Sequence, residues 1–114
     1  MKATDLLEKG EIAILIRTDG RGFSIDSKGF GRTGVWVINP DRRVHKVIIY
    51  KQDNPLTPNE VYVADHVGVS QHTDSRRYII RLADIRPLGS ITENWYEFAD
   101  LKQGARNPIR YLEG

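Results

Sequence analysis

The 114-residue chain contains no cysteine, which excludes disulfide bonds, a thiolate nucleophile and a zinc site built on sulfur. No apolar run approaches the ~18–20 residues that a membrane-spanning helix needs. The longest apolar stretch near the start covers only residues 12–16, too few for the apolar region of a signal peptide. We therefore expect a cytoplasmic protein that does not associate with membranes.

Catalytic and cofactor motifs are also missing. The three histidines, at 45, 66 and 72, do not have the spacing of metal ligands, and no G-x-S-x-G motif marks a nucleophile. Residues 29–34 have the form G-x-G-x-x-G, but they precede a β-rich segment instead of opening a helix. This order excludes a dinucleotide-binding fold, and the lack of G-K-[ST] excludes a P-loop. We expect neither a metal nor a cofactor.

Charge is unevenly distributed along the chain, although the formal net charge is only +2. Residues 17–51 carry eight basic and three acidic side chains, whereas residues 52–75 carry four acidic and no basic ones. Residues 101–112 are basic again. A basic surface that contacts phosphates is one interpretation of this pattern, and ordinary clustering of surface charge is the other.

The pattern of apolar residues and turns predicts a single α+β domain over residues 1–114. We expect a curved, mostly antiparallel sheet of five or six strands that closes toward a small barrel, with a short helix at each end. The predicted strands are 11–18, 34–39, 44–51, 60–70, 76–86 and 107–112, and the predicted helices are 4–9 and 92–101. Residues 19–34 are predicted to form an irregular glycine-rich loop.

Two details of the predicted strands carry specific expectations. The alternation of strand 60–70 is interrupted at residues 64–66, which predicts a bulge or bend. Asp65 falls in this interruption, so either the bulge turns it outward or a buried donor pairs with it, because an unpaired buried charge is costly. Pro87 is expected to end the strand that precedes it.

Arginines beside aromatic residues and glycines provide the candidate binding site. Glycines let the backbone approach a ligand, arginines pair with phosphates, and aromatic rings stack on bases. The competing interpretation is a solvated hairpin with aromatics in the core. The candidate residues for binding nucleic acid or another ligand are Arg21, Arg32, Trp36, Arg42, Arg43, Arg76, Arg77 and Tyr78.

Two stretches of the chain resemble a known superfamily. The run EVYVADHVGV at 60–69, followed by RYII at 77–80, resembles the central strands of PUA-like domains, including the ASCH and EVE branches. The segments 94–99 and 106–111 look like the tail of small bacterial and phage proteins of that type. The resemblance implies a pseudobarrel that binds RNA or a modified DNA base in a cleft beside the sheet, and it implies no catalytic residue.

Three functional hypotheses follow from the sequence. The first is a non-catalytic module that binds nucleic acid, a nucleotide or a modified base, with phosphates at the arginines and a base near Trp36. The second is a small, metal-independent ribonuclease of the toxin type that uses His45 or His66 as its base. The third is a protein-interaction barrel that docks a partner on an exposed strand.

Overall fold

Seven strands of the computed structural model, which describes residues 1–73, 76–102 and 104–114, form one mixed sheet. The strands are β1 (Ile12–Thr18), β2 (Ser24–Ile25), β3 (Gly31–Trp36), β4 (Lys46–Lys51), β5 (Asn59–Gln71), β6 (Tyr78–Ile91) and β7 (Ile109–Glu113). Their order in the sheet is β2-β3-β6-β5-β4-β1-β7. Only the β1–β4 pair is parallel, so the expectation of a mostly antiparallel sheet is confirmed.

The predicted closure into a barrel is wrong. β2 and β7 are the two edges of the sheet, and no strand pairing joins them within the described residues. The long strands β5 and β6 pair with register shifts at three points, and such bulges bend and twist a sheet. Side chains of β6 and β1 therefore belong to one hydrophobic cluster although two strands separate them.

The sheet has more strands than predicted because residues 19–34 do not form an irregular loop throughout. They contain the short hairpin of β2 and β3, whose second strand begins at Gly31 instead of residue 34. The prediction that Pro87 ends its strand is also wrong, since Pro87 lies within β6 opposite Tyr62. β3 pairs only with residues 78–82 of β6, so Pro87 occupies an edge position, where a missing N–H costs no ladder bond.

Both helices are shorter than predicted. The N-terminal one is a 3-10 helix, Ala3–Leu6, and the C-terminal one, α1, covers only Trp95–Ala99. The cap of α1 is Asn94, whose side chain accepts a hydrogen bond from the backbone N–H of Glu97 at 2.9 Å. Asp100 ends the helix in a left-handed conformation with φ of 55°. These two local signals outweigh the longer apolar stripe in the sequence.

The two faces of the sheet pack two separate hydrophobic clusters, as the alternation of strand side chains requires. On β1, Ala13 and Leu15 belong to one cluster, and Ile14 and Ile16 to the other. The first cluster also contains both Trp95 and Phe98 of α1. The second includes partly buried aromatic side chains at its margin: Phe23, Trp36, Tyr62 and Tyr111.

Both features predicted around Asp65, a bulge in the strand and a donor that pairs with the carboxylate, are present. The β5–β6 register shifts between Val63 and Asp65, which confirms the bulge in this part of the strand. Asp65 also lies opposite Lys46 on β4, and Lys46 Nζ is 2.7 Å from Asp65 Oδ1. The carboxylate is half-buried and paired with Lys46.

Replacement of Trp95 by alanine should destabilise the domain strongly. The side chain is 2% exposed and its ring lies 5.6 Å from that of Tyr50, centroid to centroid. Truncation of a buried aromatic typically costs ~3–5 kcal/mol, a large share of the ~5–15 kcal/mol that stabilises such a domain. Urea denaturation followed by circular dichroism measures the loss.

Trp95→Phe is the matched control. The indole N–H of Trp95 is buried without a hydrogen-bond partner among the described residues, so phenylalanine removes an unsatisfied donor while it keeps most of the apolar contact. We expect Trp95→Phe to lose much less stability than Trp95→Ala. Equal losses would show that the aromatic packing is not what matters at this position.

Candidate functional site

A cleft of about 790 Å³ opens where β1 and β4 end. Its walls come from segments that are distant in sequence but adjacent in the fold. The lining residues are Arg17, Thr18, Asp19, Arg21, Gly34, Val35, Trp36, Gln52, Arg77, Arg106 and Pro108.

The parallel pairing of β1 with β4 determines the position of this cleft. Thr18 and Lys51 are the last paired residues, and the backbone N–H of Gln52 donates to the carbonyl of Thr18 at 2.8 Å. Both strands therefore point their carboxyl ends into the same space. Ligands of open sheets with parallel strands commonly bind just beyond such carboxyl ends.

Four arginines from four segments make the cleft basic. Arg17 lies near the end of β1, Arg21 in the following loop, Arg77 just before β6 and Arg106 before β7. Asp19 is the only carboxylate among the lining residues. Arg77 and Arg106 form no ion pair with any residue that the structure describes. Their guanidinium groups can therefore bind an anion without first breaking an ion pair to any of these described residues.

The loop after β1 is fixed by local hydrogen bonds. The Thr18 hydroxyl accepts from the N–H of Gly20 at 3.0 Å, and Asp19 Oδ1 accepts from the N–H of Arg21 at 2.9 Å. Gly22 has a φ of +74°, and a Cβ there would lie 1.9 Å from the carbonyl oxygen of Gly34. Only glycine lets this loop pack so closely on β3, which holds Arg21 at the rim of the cleft.

Asp19 and Arg21 form an exposed ion pair, with Arg21 Nη2 at 2.7 Å from Asp19 Oδ2. The hydrogen bond from the Arg21 side chain lowers the pKa of the Asp19 carboxyl, and the same contact raises the pKa of Arg21. Asp19 is therefore ionised at neutral pH. It neutralises part of the positive charge of the cleft.

Trp36 contributes the aromatic surface of the cleft. It is half-buried, it packs at the margin of the second hydrophobic cluster, and its Nε1 donates to the Thr33 hydroxyl at 3.1 Å. Arg17 is positioned from the other side, where its Nη2 donates to Gln52 Oε1 at 3.3 Å. These hydrogen bonds hold both side chains in place in the absence of a ligand.

The structure brings together only part of the predicted set. Arg21, Trp36 and Arg77 line the cleft, while Arg32 lies beyond it on β3. Arg42 lies elsewhere, with its guanidinium carbon 3.9 Å from the centre of the Tyr111 ring. The predicted residues that do not line the cleft are Arg32, Arg42, Arg43, Arg76 and Tyr78.

Sequence reasoning missed Arg17, Gln52 and Arg106 as members of the site. The basic blocks pointed to two of them, but the topology that joins them was not predicted. β7 pairs with β1, and the N–H of Arg17 donates to the carbonyl of Pro108 at 2.8 Å. This pairing places the basic tail beside the end of β1.

The two histidines proposed as catalytic bases lie away from the cleft. His45 Nδ1 accepts from the backbone N–H of Ile12 at 3.0 Å, so it lies at the amino end of β1. Burial lowers the pKa of His66, which is half-buried on β5. Neither residue lines the cleft.

No protein-family model, curated protein or solved structure matches the chain. Within 1–73, 76–102 and 104–114, no helix is long and apolar enough to cross a membrane. The same residues contain no group of three or more histidine, aspartate or glutamate side chains that could hold a metal ion. The resemblance to PUA-like domains therefore stays a prediction.

Inorganic pyrophosphate should bind in the cleft and change the fluorescence of Trp36. The chain has two tryptophans. Trp95 of α1 is buried and does not line the cleft, so Trp36→Phe should abolish the change. Asp19→Asn should tighten binding about two- to fivefold, because it removes the one carboxylate but keeps the oxygen that accepts from the Arg21 N–H. Tighter binding by the wild type than by Asp19→Asn would contradict a cation-lined anion site.

Proposed function

We propose that this protein is a non-catalytic module that binds nucleic acid or a nucleotide in the cleft at the ends of β1 and β4. The observation that carries the proposal is the convergence of four arginines and Trp36 on one concave surface. Arginine pairs with phosphate through two parallel hydrogen bonds, and a tryptophan ring provides a surface for a base. A single phosphate-bearing ligand can use both.

The chemistry of the lining side chains favours binding over proton transfer. A general base works best with a pKa near the operating pH, whereas guanidinium groups stay protonated throughout the physiological range. The one carboxyl group, Asp19, has a lowered pKa and is engaged with Arg21. These features support a binding site for a negatively charged ligand.

We also propose that the domain is PUA-like, on the basis of its sheet and its cleft. A curved, mostly antiparallel sheet with a basic cleft at one end is compatible with it, and recognition of RNA or of a modified DNA base would follow. Because the seven strands leave two edges, this chain would be an open variant of the pseudobarrel.

Arg77→Ala and Arg106→Ala should each weaken binding of a labelled single-stranded oligonucleotide about tenfold, because each loses a charge-assisted hydrogen bond. The slope of log K against log salt should become shallower by about 0.7 per lost phosphate contact. Fluorescence anisotropy at several salt concentrations gives both quantities. Arg86→Ala is the control, since Arg86 pairs with Asp84 outside the cleft.

No binding of single-stranded or duplex nucleic acid at low salt would overturn the proposal. An unchanged affinity in both cleft variants would place the site elsewhere. The same samples test the ribonuclease hypothesis. A binder leaves RNA intact over hours, whereas cleavage that falls about 10²- to 10⁴-fold in His45→Ala or His66→Ala would establish an enzyme.

A further inference from the structure

A second depression is lined by residues of β2, β3, β5 and β6. It is an open groove of about 580 Å³. Its lining residues include Ile25, Phe30, Arg32, Val67, Ile79 and Arg81. Three of its apolar side chains are unusually accessible, with Ile25 44%, Phe30 53% and Val67 59% exposed. Apolar surface gathered in a concave site commonly marks a binding surface.

The groove is continuous with the cleft. A smaller depression of about 230 Å³ shares Gly34 and Val35 with the cleft, and Arg32 and Ile79 with the groove. The three depressions therefore form one track along β3. β3 has six residues, so the track follows it for roughly 17 Å at the usual rise per residue. At the ~3.4 Å spacing of stacked nucleotides this length corresponds to about five nucleotides, and to fewer if the strand is extended.

Two arginines face each other at the groove. Arg32 of β3 and Arg81 of β6 are direct cross-strand partners, and both are exposed. Neither has a carboxylate partner among the described residues. Like charges directly opposite each other destabilise a sheet. A bound phosphate would relieve that repulsion.

The turn before β3 holds the backbone of Phe30 in a fixed position. Asp26 Oδ1 accepts from the backbone N–H groups of Lys28 and Phe30 at 2.8 and 3.0 Å. The N–H of Asp26 donates to the carbonyl of Phe30 at 2.7 Å. The N–H of Ile85 on β6 donates to the carbonyl of Gly29 at 3.0 Å. An aromatic ring held on a braced backbone loses little entropy when a base stacks on it.

We infer that the ligand is a single strand of nucleic acid several nucleotides long, which runs from the cleft along β3 into the groove. In the groove a base stacks on Phe30 and a phosphate lies between Arg32 and Arg81. This inference rests on the proposed function, because the same strand occupies the cleft. Apolar surface flanked by two arginines without a carboxylate partner among the described residues fits exposed bases and phosphates, whereas a duplex keeps its bases stacked inside.

The test compares wild type and Phe30 variants by fluorescence anisotropy at one low salt concentration. The probes are oligothymidine and oligouridine of about 12 nucleotides, their trinucleotides, and a duplex of about 12 base pairs. Wild type should bind the long single strand more tightly than either the trinucleotide or the duplex. Phe30→Ala should weaken binding of the long strand about 5- to 150-fold, the range for loss of one stacked base.

Three variants separate stacking from other effects. Phe30→Tyr keeps the ring and should bind like wild type, whereas Phe30→Leu keeps an apolar side chain and should bind like Phe30→Ala. Leu56→Ala, which alters a side chain 91% exposed outside the groove, should change nothing. Thermal melts of these three variants and of Phe30→Ala should be alike, since Phe30 and Leu56 are both exposed.

Failure of this inference differs from failure of the proposed function. If Arg77→Ala weakens binding of the long strand but Phe30→Ala and Arg81→Ala do not, the cleft binds nucleic acid and the groove does not. A duplex bound as tightly as the single strand also overturns the inference. If a labelled acidic peptide rich in phenylalanine binds in a Phe30-dependent manner and no oligonucleotide does, the groove is a peptide site and both proposals are wrong.

Discussion

The parallel pairing of β1 with β4 is the constraint on which the remaining structure depends. Residues 13–16 and 47–50 are at most 1% exposed, because each strand has a hydrophobic cluster on both of its faces. Burial on both faces is what parallel strands usually need. Antiparallel neighbours then extend the sheet on either side, β5 beyond β4 and β7 beyond β1. These four adjacent strands thereby hold the two clusters apart and fix the cleft at one end.

Much of the fold could be predicted from local signals, but the long-range pairing could not. Strand β1 was predicted almost to its limits because 12–18 is a continuous β-branched and aliphatic run. The parallel partner was missed because the residues of a strand do not indicate whether its neighbour is parallel or antiparallel. Only the length and course of the connection between the two strands indicate this. Short turns between most of the predicted strands favoured antiparallel pairing of consecutive strands, yet residues 19–45, with β2 and β3, separate β1 from β4. That long connection is what permits a parallel pair.

The candidate site shows the same division between local and distant information. Arg21, Trp36 and Arg77 were predicted because each lies in a local pattern of arginine, glycine or aromatic residues. Arg42 and Arg43 follow the same kind of pattern but lie outside the cleft, since the turn that carries them brings Arg42 onto Tyr111. Local sequence can suggest which arginines are candidates for binding, but strand order determines which of them share a surface.

The two ends of the parallel pair differ in how their polar groups are satisfied. At the amino end His45 accepts from Ile12 N–H and donates its own backbone N–H to the Ile12 carbonyl, and Lys46 pairs with Asp65. At the carboxyl end the cleft gathers four arginines around a single carboxylate. Repulsion among these arginines lowers the free energy of unfolding of the domain. The burial of the hydrophobic strands offsets that cost. A fold whose core is secured on both faces of its central strands can keep an excess of positive charge at one end of the sheet, where we propose that an anionic ligand binds.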